Sequence, residues 1–187
     1  MKLFVKNMVC NRCIKVVEDE LVKLGIQPQN VTLGEVELSE KPTTSVMDAI
    51  KEVLEANGFE MISNKQTQLV EKIKTLVISE VHHKKEKEES ENFSNFISRK
   101  TGVSYSSLSK LFSSIEGMTL EQYIIHQKIE KAKELLVYGE LTLSQIAWEL
   151  DYSSVQHLSS QFKKVTGLTP SHFKKIGISK RKPLDKV

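Results

Sequence analysis

The sequence predicts an α+β chain, a small α/β sandwich followed by an all-α part of about seven helices. Two observations carry this reading. Up to about residue 63, strand-like alternation takes turns with helical periodicity, whereas from Gln66 onward only helical periodicity remains. In that second part Gly102, Gly117, Gly139 and Gly167 each fall just after a helical stretch, where the backbone must turn left-handed.

Lys2 to Met8 alternates and is rich in Leu, Phe and Val, which predicts a strand. A helix follows from about Arg12 to Leu24, with Ile14, Val17, Leu21 and Leu24 on one face and Gly25 at its exit. "NVTLGEVELS" supplies extended residues in which Gly34 is either a turn between two short strands or a bulge in one. A second helix, Ser45 to Asn57, closes at Gly58, and "FEMIS" offers a last short strand.

The helical part opens with a stripe of Leu69, Ile73, Leu76 and Val77 and then meets "HHKKEKEE", which reads as a solvated charged loop. Helices are expected over Asn92 to Lys100, Ser104 to Ile115, Leu120 to Tyr138, Leu143 to Leu150, Ser154 to Val165 and Pro170 to Lys175. Their starts are marked: Thr119 with Gln122 and Thr142 with Gln145 have capping-box spacing, and Thr169-Pro170 places a cap before a first-turn proline. The predicted organisation is 1–64, 66–176 and a flexible basic tail, 177–187.

The formal net charge of +3 is unevenly spread. Residues 1–65 carry 8 Lys and Arg against 10 Asp and Glu, leaving 19 against 14 for the remainder. A basic second part suits a phosphate-rich partner, because neutralising phosphates releases counterions. No apolar run approaches the roughly 20 residues a membrane span needs, and "MKLFVK" returns to lysine before a signal-peptide core forms, so a cytoplasmic chain without a membrane partner is expected. No Ser-His-Asp order, phosphate-cradling glycine loop or paired-carboxylate site stands out, and no enzymatic activity or organic cofactor is expected.

"SYSSLSKLFSSIEGMTLEQYI" and "SVQHLSSQFKKVTGLTPSHFK" overlay, with Leu108 on Leu158, Phe112 on Phe162, Gly117 on Gly167, Thr119 on Thr169 and Tyr123 on Phe173. Two helix-turn-helix units joined by the helix over residues 120–138 follow from this repeat. Each unit has a helix with an apolar side to seat it and an opposite side of small or polar residues, which lets it enter a major groove closely. The residues Leu108, Phe112, Leu158, Phe162 and Trp148 are expected in the core.

The run "IAWELDYSSVQHLSSQFKKVTGLTPSHFKK" is similar to the signature of the AraC/XylS family of bacterial transcription regulators. Phe162, Lys163, Lys164, Gly167, Thr169, Pro170 and Phe173 meet its Phe-Lys-Lys-x-x-Gly-x-Thr-Pro-x-x-aromatic pattern, and "EKAKELL" matches its connector helix. The resemblance implies an all-α double helix-turn-helix that binds double-stranded DNA. Position by position, Ser106, Ser109 and Lys110 of the first unit and Val155, Gln156, His157, Ser159 and Ser160 of the second would face bases, with Lys163 and Lys164 on phosphates. Two departures stand out: Asp151-Tyr152 replaces the family's Gly-Phe turn, and Ser160 replaces a frequent arginine, which weakens the expected second half-site.

Both cysteines of the chain lie in "NMVCNRC", on a strand-to-helix loop. Cys13 is expected at the helix N-terminus, where free amide hydrogens, the dipole and Arg12 favour a thiolate. Two thiolates at i, i+3 suit a soft ion such as Cu(I) or Hg(II) better than tetrahedral zinc. Met8-x-Cys10-x-x-Cys13 resembles the heavy-metal-associated, copper-chaperone-like domain. That resemblance implies a ferredoxin-like βαββαβ sandwich over residues 1–64 with Met8 as a buried support and Cys10 and Cys13 as metal ligands. Asn7 stands where the family has glycine. The 22 residues between Ile26 and Ala49 seat two strands tightly, so one strand is expected short or missing. The leading expectation is a metal-responsive DNA-binding regulator. Alternatives are an N-terminal part that only dimerises or binds a partner, a metal-trafficking protein, or a dithiol oxidoreductase. His82 and His83 are expected simply exposed, and whether the chain forms a homodimer is left open.

Overall fold

The computed structural model describes residues 1–83, 87 and 91–176. The expected basic tail, 177–187, and most of the charged run after His83 lie outside the described residues.

The N-terminal part runs β1 (Lys2–Lys6), α1 (Asn11–Lys23), β2 (Pro28–Thr32), β3 (Glu35–Leu38), α2 (Thr44–Ala56) and β4 (Glu60–Met61). Its strands form one sheet in the order β2-β3-β1-β4, every pair antiparallel. Both β2 and β3 fit the short spacing because Leu33 and Gly34 make a two-residue turn, with Gly34 at φ +85°. The abbreviated strand is instead β4, which pairs with β1 only through Val5 and Lys6. Alternation along β1 sends Leu3 and Val5 into a core with Val17, Leu21, Val36, Ile50 and Leu54. The opposite face is charged, with Lys2 3.3 Å from both Glu35 and Glu37.

Seven helices follow among the described residues: α3 (Lys65–His83), α4 (Phe93–Thr101), α5 (Tyr105–Glu116), α6 (Leu120–Tyr138), α7 (Leu143–Glu149), α8 (Val155–Thr166) and α9 (Pro170–Ile176). They build two separate cores. Val70, Ile73 and Val77 of α3 join Phe96, Leu108, Phe112, Leu120 and Tyr123 in the first. Ile129, Ala132 and Leu136 join Ile146, Leu158, Phe162 and Phe173 in the second. Helix α6 serves both, its first turns in one core and its later turns in the other. Both expected capping boxes form, at Thr119–Gln122 and Thr142–Gln145.

The two inter-helix turns are solved differently. Between α4 and α5, Gly102 takes the left-handed conformation at φ +71°. Between α7 and α8 that conformation falls on Asp151, φ +54°, which has a Cβ to accommodate. Local bonds hold the strained turn: Lys128 Nζ donates to Leu150 O at 2.6 Å, and Lys87 Nζ lies 3.2 Å from Asp151 Oδ2. Lys128 also sits 5.2 Å over the Tyr152 ring, so the Asp-Tyr replacement keeps the turn by recruiting cations.

A buried polar seam joins α3 to α6. Gln127, fully buried, accepts from His82 Nε2 at 3.1 Å and donates to Tyr123 Oη at 3.1 Å. The carbonyl oxygen of an amide only accepts, so Nε2 carries the proton. His82 is therefore no freely exposed end-of-helix histidine. The amphipathic stripe of α3 continues to its last turn and carries the imidazole under α6.

Phe162 is completely buried beneath α6 and α9. Truncation to alanine is expected to cost about 3–5 kcal/mol, read as a lowered Tm by calorimetry. Burial holds the His82 imidazole down to about 4, from an ordinary value near 6.5. The folded form thus binds this proton more weakly than the unfolded form, and the contribution is full above pH ~6.5 and lost as pH falls from there toward 4. Urea melts across that window are expected to show stability declining with acidity, and a His82→Gln variant is expected to lack that component.

Candidate nucleic-acid interface and thiol loop

Helices α5 and α8 are built to one plan. Ser104 and Ser154 cap them by accepting from the backbone N–H of Ser107 and His157. Gly117 and Gly167 end them at φ +70° and +77°. Leu108 and Phe112, and fifty residues later Leu158 and Phe162, are completely buried. Phe112 packs 5.3 Å from the Tyr123 ring and Phe162 5.5 Å from Phe173. The two burial patterns agree position for position except at Ser113, half-buried where Lys163 is exposed.

This seating decides which side chains look outward. Ser106 and Lys110 of α5 are exposed, as are Gln156, His157, Ser160, Lys163 and Lys164 of α8. Ser109 and Ser159 are half-buried at equivalent positions. Val155 is half-buried as well, its side chain packing partly on the second core. His157 is exposed yet tethered: its Nδ1 lies 3.1 Å from Ser153 Oγ and its ring stands edge-on to Tyr152.

Four exposed residues lie outside the expected DNA-facing set. Ser107 occupies in α5 the place of His157 in α8. Lys174 and Lys175 extend the basic surface along α9. Trp148, expected in the core, is 76% exposed. At 100° per residue it lies about 200° around α7 from buried Ile146, so the short helix cannot bury both.

At the other end of the chain, Asn7 adopts φ +71°, the conformation for which glycine is the usual choice. Its Nδ2 donates to Gly58 O at 2.9 Å, which compensates the side chain's presence. Met8 is buried in the sandwich core beneath the loop. Cys10 takes the N-cap position of α1, and its Sγ lies 3.6 Å from that of Cys13, both thiols free.

The thiols differ in acidity, and Cys13, expected to be favoured as a thiolate, is the less acidic. Burial pushes the Cys10 thiol up, but the amides and thiol of Cys13, the amide of Arg12 and the Arg12 charge outweigh it, so its pKa is lowered. Cys13 is raised, first by burial against the sandwich core and then by its neighbour's charge. The sulfur at the cap lies beside the amides of Arg12 and Cys13 without capping the helix, whereas that of Cys13 faces the loop amides of Val9 and Cys10. Among the described residues no third His, Cys, Asp or Glu clusters with the pair, so the donor set fits a soft two-coordinate ion and not tetrahedral zinc.

The loop also touches the helical part. Asn7, Met8 and Val9 share a narrow crevice with Glu71, Lys74, Thr75 and Ile78 of α3 and Tyr123 of α6. Beside it, a cavity of about 420 Å³ separates Phe4, Ile14, Leu33 and Ile62 from Gln68, Thr75, Leu76 and Ser79. Among the described residues no helix is long and apolar enough to cross a membrane.

A helix-turn-helix domain family matches residues 97–176. The xylose operon regulatory protein of Escherichia coli K12 is 35% identical over 75 residues, covering 40% of this chain and 19% of that protein. An uncharacterised HTH-type transcriptional regulator in the cgkA 5' region of Pseudoalteromonas carrageenovora is 35% identical over 74 residues, covering 40% of this chain and 43% of that protein. The chain therefore spans less than half the length of either relative. The C-terminal domain of AraT, a response regulator from Geobacillus stearothermophilus, has the same fold, with TM-score 0.51, 22% identity, 64% of this chain and 95% of that one covered. Residues 97–176 match a helix-turn-helix domain family, and the relatives that share this stretch are named as transcription regulators.

Proposed function

We propose that this chain is a sequence-specific transcription regulator that lays α5 and α8 against successive major-groove faces of double-stranded DNA. The observation that carries the reading is the fifty-residue repeat, which gives two helices the same buried seat and the same outward face on one shared helix. Successive faces of the groove lie about 34 Å apart. A 19-residue α6, about 28 Å long at 1.5 Å per residue, seats one reader on its first turns and the other on its later turns.

The outward residues divide by chemistry. The Gln156 amide can donate and accept in the paired geometry of an adenine edge, and the serines of α5 permit close approach. Lys163 and Lys164, joined by Lys174 and Lys175, supply charge to phosphates and so fix register. With Ser160 in place of a larger donor, Gln156 is the principal base reader of the second unit.

The N-terminal part, residues 1–64, is read as a ferredoxin-like, heavy-metal-associated domain. Its β1-α1-β2-β3-α2-β4 order, its sheet order, buried Met8 and the paired thiols support this. Cys10 and Cys13 would hold a soft ion such as Cu(I), which binds through thiolates and serves as signal and not as reagent. For the ion to act, it must favour one arrangement of loop and helices over another. A purely dimerising N-terminal part would leave the thiols without consequence for DNA affinity.

Selection of duplexes from a random pool, with and without Cu(I), tests the whole reading; failure to enrich any sequence rejects it. On the enriched site, Gln156→Ala is expected to lose about 1–3 kcal/mol of discrimination at one base pair. Lys163→Ala is expected to weaken all sequences alike and to lower the slope of log affinity against log salt by about one, measured by fluorescence anisotropy. The Cys10→Ser, Cys13→Ser double variant is expected to bind the site yet lose any dependence on Cu(I); a dependence that persists places the metal elsewhere.

A further inference from the structure

We infer that the two recognition helices have divided roles: α5 carries the response to the thiol loop, and α8 is indifferent to it. This rests on the soft-metal and DNA-binding reading above. Two contacts lead from the loop's crevice to α5. Lys74, which lines the crevice beside Asn7, Met8 and Val9, lies 3.0 Å from Glu71 and 3.5 Å from Glu116, the last residue of α5. Tyr123, on the crevice's other wall, packs its ring 5.3 Å from Phe112 in the middle of α5.

The second unit meets α3 farther from the loop: Glu80 and Val81 share a small crevice with Leu150 and Asp151 ahead of α8, whereas no residue lining the loop's crevice belongs to α7, α8 or α9. The groups seating α8, among them Ile129, Ile146 and Phe173, belong to a core that excludes α3 and meets no N-terminal strand or loop. At the position equivalent to Tyr123, the second unit has Phe173, which lacks the hydroxyl tied to Gln127 and His82.

The mechanics follow from chain connectivity. Val9 precedes Cys10 directly, so a change in thiol separation or rotation on taking up an ion displaces the residues that fill the crevice. A close-packed interior transmits such a shift instead of absorbing it. Lys74 and Tyr123 pass it to the end and the middle of α5. The result is a fixed anchor, α8 with Lys163 and Lys164, and an adjustable reader, α5 with its serines.

Amide hydrogen exchange on the full chain, with and without Cu(I), reads the inference without DNA. The expected result is a change of about fivefold or more in α5 amide exchange, the lower range of ordinary coupling, with α8 unchanged. Lys74→Gln is expected to reduce the α5 response, most at the end that carries Glu116, while Cu(I)–thiolate absorption is retained, and Val9→Ala is expected to reduce it from the loop side. On the selected duplex, hydroxyl-radical footprints are expected to change with Cu(I) only in the half-site that Gln156→Ala leaves unaffected. Equal responses in α5 and α8, or an α5 response intact in Lys74→Gln, would overturn the inference. Absence of thiolate absorption rejects the metal reading and the inference with it. Cu(I) uptake without an exchange change rejects the inference alone, and an α5 response in a chain that selects no duplex rejects DNA binding while the inference stands.

Discussion

The seating of two short helices on α6 is the constraint on which the rest of the helical part depends. Leu108 and Phe112 on one side, and Leu158 and Phe162 on the other, are wholly excluded from water. Burying each such side chain stabilises by about 1.5–3 kcal/mol. Since the two seats share a single helix, the separation and relative rotation of α5 and α8 are set by the stretch of α6 between Tyr123 in the first core and Ile129, Ala132 and Leu136 in the second, and not by a flexible linker. That rigidity is what allows outward residues fifty apart to act as one surface.

The connector is not purely apolar, and its polar atoms have consequences. Gln127 is buried at the junction of the two cores, where an unpaired amide would cost about 1–3 kcal/mol. His82 and Tyr123 satisfy it, and the pairing holds α3 in register against α6. Such hydrogen bonds discriminate between registers more sharply than leucine packing, which tolerates sliding. The same seam holds Tyr123, whose ring is tilted 51° against that of Phe112 and which lines the crevice beside the thiol loop.

At the N-terminal end, the backbone at Asn7 and the cap at Cys10 define the chemistry of the loop. The left-handed Asn7 reverses the chain out of β1, Met8 anchors it in the core, and Cys10 arrives where the first amides of α1 are free. A thiol so placed ionises more readily than one packed against the sheet, although both belong to the same four-residue motif. The hairpin turn at Gly34 approaches Thr75 closely enough that a Cβ there would meet its hydroxyl at 3.4 Å. Sandwich and helices are thus in contact along the edge that bears the thiols.

Much of this was legible in the residues. Helical periodicity, capping boxes at Thr119 and Thr142, left-handed glycines and the Leu-Phe repeat are local signals, each complete within a few turns of chain. They located α5 and α8, the outward faces and the thiol pair. Four matters required tertiary contacts. Trp148 is exposed because a seven-residue helix has one buried side, and Ile146 and Ala147 occupy it. His82 is half-buried because α6 crosses its end of α3. Cys10 outranks Cys13 in acidity because burial depth and amide direction differ within one loop. The meeting of the thiol loop with Lys74 and Tyr123 joins residues 65 to 116 positions apart. Sequence periodicity reports which face of an element is apolar, but which other element covers that face depends on packing, and no local pattern records it.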